Sequence, residues 1–182
     1  MDTIHLNRFF IVLPVCVCLL LTACEQNLTG SQTKIDKNSK DSLFYYPYTG
    51  PEPAGKDVHT VYVPVYSNVF RSGGGSFNMA VTLLIRNTDF AKTLIISTVQ
   101  YYDTSGELVQ EYLIKPHVLA PMASTHFVVD KTDMRGGVGA NFIVGWSSED
   151  PEMNPPIIEA VMVGINGTQG VGFKSEGIKI GK

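Results

Sequence analysis

The sequence predicts an all-β fold, an antiparallel β-sandwich of about seven to eight strands over residues 58–178. Three observations carry that expectation. From Val58 onward no long stretch repeats its apolar residues at helical spacing. Runs rich in β-branched and aromatic residues alternate apolar with polar positions instead. Short clusters of glycine, proline, asparagine and aspartate separate those runs. A partly open barrel is the alternative architecture.

Val61, Val63 and Val65 alternate with Tyr62, Pro64 and Tyr66. Pro64 cannot donate to a ladder, so an edge strand or a bulge is expected there. Met79, Val81, Leu83 and Ile85 form one face of the next strand, with Asn78, Ala80, Thr82 and Arg86 on the other. Residues 94–102 make a further strand. Asp103, Thr104, Ser105 and Gly106 then form a tight turn, and residues 107–114 return. Pro116 and Pro121 frame a crossing loop, after which Phe127 and Val129 share a face. Ala140, Phe142, Val144 and Trp146 alternate cleanly. Residues 157–165 are apolar on both faces apart from Glu159, which predicts a central strand. Asn166-Gly167 is the strongest hairpin signal, with residues 171–173 as the partner strand.

The start of the chain predicts location. Arg8 precedes an apolar run over residues 9–21. At about 1.5 Å per helical residue the run spans roughly 20 Å, short of the ~30 Å hydrocarbon core. A basic start, a short apolar run and small residues form a signal-peptide pattern, and Pro14 weakens a membrane-helix reading. Leu21-Thr22-Ala23-Cys24 resembles the bacterial lipobox, in which cleavage after Ala23 leaves Cys24 as a lipid-modified first residue. One acyl chain holds a protein only marginally, whereas two or three make a stable anchor. An ordinary signal peptide whose cleavage site happens to precede a cysteine is the bland reading. The predicted organisation is a leader over 1–23, a lipidated start and tether over 24–57, and the sandwich. The polar residues 25–42 carry no apolar periodicity, and a flexible tether to Asp57 would reach about 30 Å. The aromatic cluster at Leu43, Phe44, Tyr45, Tyr46 and Tyr48 is expected to pack on the domain rather than rest on the membrane. A chain with these signals belongs to the bacterial cell envelope, held to a membrane through the lipid on Cys24, on the periplasmic side or the outer surface.

Composition narrows the function classes. Apolar residues make up 44% and charged residues 17% of the chain, as for a globular core. Net charge is −3 with neither sign clustered, which argues against a nucleic-acid partner and a polybasic membrane patch. Cys16 and Cys18 leave with the leader, so no disulfide and no thiolate pair remains.

Several strands resemble a bacterial lipoprotein family known as domain of unknown function 3124. The stretches are Val61-Tyr-Val-Pro-Val-Tyr-Ser67, Ile85-Arg-Asn-Thr-Asp89, Tyr101-Tyr-Asp-Thr104 with Gly106, Leu119-Ala-Pro-Met-Ala-Ser-Thr125, Gly136-Gly-Val-Gly-Ala-Asn-Phe-Ile-Val144 with Trp146, and Pro156-Ile-Ile-Glu-Ala-Val-Met162. The resemblance implies an envelope lipoprotein and transfers no site residue. A looser likeness to immunoglobulin-like modules of bacterial surface proteins, in a strand ending Asn-Thr and a later Leu-x-Pro crossing loop, makes the expected sandwich immunoglobulin-like and implies no function.

No constellation predicts chemistry. His59, His117 and His126 lack ligand spacing, although His117 and His126 could converge across the 116–121 loop. Gly73, Gly74 and Gly75 lack the Lys-Ser/Thr of a phosphate loop, and a flexible strand connection is the plainer reading. Gly136, Gly137 and Gly139 precede a strand, not a helix, so a turn with close backbone approach is expected. Ser124 and His126 share a strand face without an identified orienting carboxylate. Asp130, Asp133, Glu149 and Asp150 lack calcium-loop spacing and read as solvated turns, and nothing favours a paired-carboxylate hydrolase. Asp103 is expected to hold the 103–106 turn, and Arg86 to lie near Asp89. His117, His126 and Asp103 are the remaining ligand candidates. The chain is therefore read as a non-enzymatic binding or interaction module without a cofactor, with an envelope protein as a possible partner. The alternatives are a small-ligand binder or unrecognised hydrolase built from the loops near Gly73, His117 and Gly136, and a purely structural component.

Overall fold

The structure is a computed structural model that describes residues 45–51 and 58–181. The leader, Ala23, Cys24 and most of the tether lie outside the described residues. The strands are β1 (Tyr45–Pro47), β2 (His59–Pro64), β3 (Asn68–Arg71), β4 (Gly75–Asn78), β5 (Ala80–Arg86), β6 (Leu94–Tyr102), β7 (Leu108–Glu111), β8 (His117–Leu119), β9 (Ser124–Val129), β10 (Asn141–Ser147), β11 (Ile157–Asn166), β12 (Gln169–Glu176) and β13 (Ile178–Ile180). They form a seven-stranded sheet ordered β1-β8-β6-β10-β2-β13, with β7 also on β6, a four-stranded sheet ordered β12-β11-β5-β9, and the β3–β4 hairpin. Every pairing is antiparallel.

The two large sheets face each other as a sandwich. The predicted alternations supply the core: Val61, Val63 and Val65, then Met79, Val81, Leu83 and Ile85, then Phe142, Val144 and Trp146, are all buried. Each large apolar side chain removed from water contributes about 1.5–3 kcal/mol. β5 pairs with β9 in one sheet and β6 with β10 in the other, the exchange of an immunoglobulin-like sandwich. The outer positions are swapped. β2, the first strand of the sandwich, lies beside β10, and the late strand β11 lies beside β5. β11 is central, as expected, but its second apolar face is open. Ile157, Val163 and Ile165 are exposed there.

Several expectations need correction. Pro64 is not in an edge strand, because β2 lies between β10 and β13. The fit has a local reason. Val65 donates its N–H to the carbonyl of Ala140, just before β10, so the Pro64 nitrogen faces the other side, and β13 pairs only with Thr60, Val61 and Tyr62. The 116–121 loop contains β8, and the glycine run is the tip of the β3–β4 hairpin, with Gly73 and Gly74 at positive φ. Tyr45 packs on the domain as expected of the aromatic cluster, with Tyr45–Pro47 forming β1 on β8, and β13 extends over Ile178–Ile180. Arg86 pairs with Glu159 at 3.3 Å, across the adjoining strand, not with Asp89.

A bulge explains the irregular pattern of β6. Thr98 pairs with Gly145 and Ile96 with Trp146, so Ser97 is extra. The slip puts Leu94 and Ile96, and then Val99 and Tyr101, into the same core. A Cβ on Gly145 would come within 2.7 Å of the Ser97 hydroxyl, so the bulge needs glycine opposite it.

Candidate functional site

Strand direction sorts the loops to two ends. β5 finishes and β6, β9 and β11 begin at one end, which therefore gathers residues 87–93, 117–123 and 147–156. The other end gathers the β3–β4 hairpin, the 103–106 turn, residues 130–140 and the Asn166-Gly167 turn. The loops near Gly73 and Gly136 thus come together, and His117 lies at the opposite end.

The first end is built on Asn87 and Asp89, which are 3% and 6% exposed. The Asn87 side-chain amide donates to the carbonyls of Lys92, Leu119 and Ala120 at 2.8–3.2 Å, and its oxygen accepts from the Asp89 N–H. The Asp89 carboxylate accepts from the N–H groups of Ala91 and Lys92 through one oxygen and Asn154 through the other. Those N–H groups, and secondarily the nearby Lys92 ammonium, hold its carboxyl below the usual carboxylate range. Sequence reasoning missed this hub, although Asn-Thr-Asp at a strand end carries its signal, because Asn and Asp bond local backbone.

His117 sits at the rim of the core, opposite Ile96, with its Nδ1 2.9 Å from the Lys115 carbonyl. Tyr45 of β1 stacks on it at 4.7 Å, and burial pushes the Tyr45 hydroxyl up. His126 is exposed on the outer face of the four-stranded sheet, opposite Leu84. The two histidines belong to different sheets and do not form a pair of ligands. Among the described residues no three His, Cys, Asp or Glu side chains are grouped to hold a metal.

At the second end Asp103 holds its turn as expected. One carboxylate oxygen accepts from the N–H groups of Ser105 and Glu107 at 2.8 and 2.9 Å, and Gly106 adopts a φ of 84°. Thr104 clamps the glycine-rich loop. Its hydroxyl donates to the Gly136 carbonyl and accepts from the Gly139 N–H, both at 2.9 Å. Ser67 donates its N–H and hydroxyl to the Gly137 carbonyl. The Tyr101 hydroxyl, pushed up by burial, abuts Gly136 so closely that a Cβ there would overlap it. Gly136 is therefore a packing requirement, not a phosphate cradle.

The 130–135 loop is fastened to itself. Asp130 accepts from the Thr132 N–H and hydroxyl at 2.9 and 2.8 Å, and Asp133 takes a two-pronged contact from Arg135 at 2.6 and 2.8 Å. These contacts, led by the Thr132 N–H and by Arg135 respectively, hold both carboxyls low. Between this loop, β4 and the tip of β11 lies a cleft of about 360 Å³ lined by Ser76, Phe77, Asn78, Lys131, Thr132, Met134 and Ile165. The Asn78 amide approaches the Met134 sulfur at 3.3 Å and ties the two walls together. Neither a histidine nor a carboxylate lines the cleft.

A family model described as protein of unknown function (DUF3124) matches residues 58–180. The chain belongs to this family. In this DUF3124 domain, the stretches that carry the resemblance coincide with the Asn87–Asp89 hub, the loop whose carbonyls Asn87 binds, the Asp103 turn and the glycine loop clamped by Thr104. They encode architecture. No curated protein matches the chain. The crystal structure of Thermotoga maritima 1070 is similar at 15% identity and a TM-score of 0.39, over 68% of this chain and 96% of that one.

Proposed function

We propose that this chain is a bacterial envelope lipoprotein, lipid-anchored at Cys24, that works as a non-catalytic interaction module by pairing its β12 edge with an extended segment of another envelope protein. The observation that carries this reading is the β12 edge. β12 runs for eight residues without proline, and among the described residues it pairs only with β11. Gly177 donates its N–H to Ile158, so alternation turns the peptide groups of Gly170, Gly172, Lys174 and Glu176 outward. Gly170 and Gly172 stand opposite Ile165 and Val163, which are 70% and 47% exposed. An added strand would gain main-chain hydrogen bonds, and its apolar side chains could cross the glycines to reach Val163 and Ile165. Natural edges of this length are usually blunted by charge, proline or a bulge; β12 has no proline, and its charges, Lys174 and Glu176, lie at its C-terminal end, away from Gly170 and Gly172. The loop carboxylates support a role without turnover, since Asp89, Asp103, Asp130 and Asp133 are engaged in holding backbone or a neighbouring arginine.

Two experiments test the two halves. Cys24→Ser is expected to move the protein out of the membrane fraction and abolish labelling by a fatty-acid probe; a variant that stays membrane-bound sinks the anchor. A photocrosslinking residue at Lys174 is expected to capture one discrete envelope protein in cells, and Gly172→Pro, which removes an outward N–H, to abolish that capture. Recovery of abundant bystanders alone rejects the edge as the interface.

A further inference from the structure

The cleft at the Gly136 end supports a second role. We propose that it binds a small anionic amphiphile, a monocarboxylate on an apolar body, with Lys131 taking the carboxylate. Its volume of about 360 Å³ lies at the small end of ligand sites, which run from about 300 to 1,000 Å³. Its lining divides by chemistry. Phe77, Met134 and Ile165 offer an apolar surface, and Ser76, Asn78, Thr132 and Lys131 offer polar groups.

Lys131 is the one charged residue of that lining. Its neighbour Asp130 is committed to the N–H and hydroxyl of Thr132, and Lys131 has no ion-pair partner among the described residues. A single ammonium matches a single negative charge. A phosphate would need further cations or a helix N-terminus, and the lining has neither. The exposed Met134 and Ile165 would exchange water for the ligand's hydrocarbon. The walls are set before any ligand arrives. Asp130 with Thr132 and Asp133 with Arg135 stiffen the loop, and the Asn78–Met134 contact joins it to β4. Such preorganisation lowers the ordering penalty of binding. The site shares Ile165 with the apolar surface beside the β12 edge, but its polar groups lie on β4 and the 130–135 loop and it does not rest on the interaction reading.

The test is a titration of the isotope-labelled full chain with hexanoate, and separately with hexanol, followed by amide chemical shifts. Hexanoate is expected to saturate in about the millimolar range and to shift Ser76, Phe77, Asn78, Lys131, Thr132, Met134 and Ile165. Lys131→Ala is expected to weaken hexanoate about tenfold and leave hexanol unchanged. Met134→Glu, at a half-exposed position, is expected to abolish both while the remaining amides keep their positions. The proposal is overturned if no saturable shifts occur, if they map elsewhere, or if Lys131→Ala leaves hexanoate affinity intact.

Discussion

At the end of the sandwich where Asn87 lies, side-chain oxygens and amides meet backbone groups inside the protein. At the end where Lys131 lies, the same kinds of contact, Asp103 on its turn and Asp130 on Thr132, sit at the surface. Both ends use short polar side chains to finish backbone hydrogen bonds that the strands leave open. They differ in what remains afterwards. The Asn87 end is sealed: the Asn87 amide binds the 87–93 and 117–123 segments together, and Asp89 adds Asn154. The Lys131 end retains an ammonium, hydroxyls and apolar side chains around a cleft. The chain enters the described domain at Tyr45, on the sealed end. The cleft therefore lies about one strand length away, roughly 20 Å at 3.3 Å per residue.

Gly136→Ala is the strongest challenge to that contrast. The added methyl would overlap the Tyr101 hydroxyl and crowd Ala140, and backbone cannot retreat while Thr104 and Ser67 hold the loop. A loss of at least about 3 kcal/mol is expected in denaturant unfolding. Adding Tyr101→Phe removes the nearest atom and should recover part of it, a coupling that a double-mutant cycle reads directly. Absence of any recovery would show that the loop, not the hydroxyl, sets the limit. Asn87→Ala comes next. It removes, at a buried position, the two amide N–H groups that three carbonyls share and the oxygen that accepts from the Asp89 N–H; counted as two N–H groups and one acceptor at about 1 kcal/mol each, a loss near 3 kcal/mol and a Tm about 10 °C lower are expected by calorimetry.

Much of this contrast was open to sequence reasoning, and the part that was hidden has identifiable causes. The valine and leucine faces of β2, β5 and β10 were readable because alternation with period two reports one buried side directly. The extent of β6 was read correctly as 94–102, but its faces were not, because the Ser97 bulge changes the parity midway and only the partner strand reveals the extra residue. β1 and β8 are three residues each, too short for any alternation to register. The role of Asp103 followed from local turn chemistry within four residues. The Asn-Thr-Asp strand end signals local backbone bonding, but the reach of Asn87 to Leu119 and Ala120, more than thirty residues away, leaves no local pattern. The cleft combines β4, the 130–135 loop and the β11 tip, and its lining becomes visible only after the strands are ordered.

Acid should weaken the sealed end in a defined direction. The folded protein holds the Asp89 carboxyl below its ordinary value, through the N–H groups of Ala91, Asn154 and Lys92. Its stabilising contribution is complete above the unfolded value of about 3.9 and is lost as pH falls through the lower, folded value. Asp89→Asn should therefore lower Tm at pH 7 and flatten its decline below about pH 4 relative to the unaltered chain. Parallel declines would mean that Asp130, Asp133 and Asp150, which are also held low, carry the acid response instead.

Arg86 supplies the smallest expected effect and the closest control. It is the immediate neighbour of Asn87 in sequence, yet its guanidinium reaches Glu159 at 3.3 Å with 43% of its side chain exposed. Water and salt screen that pair, and Lys174 already offers Glu159 a second partner at 3.3 Å. Exposed pairs contribute about 0–1 kcal/mol, so Arg86→Ala should lower stability by no more than about 0.5 kcal/mol and lose even that in high salt. Adjacent substitutions would then differ severalfold, since one removes a buried amide that joins two loop segments and the other an arm lying on the sheet surface. Equal losses at positions 86 and 87, measured by denaturant unfolding at low and high salt, would break the distinction between a sealed polar hub and a solvated ion pair.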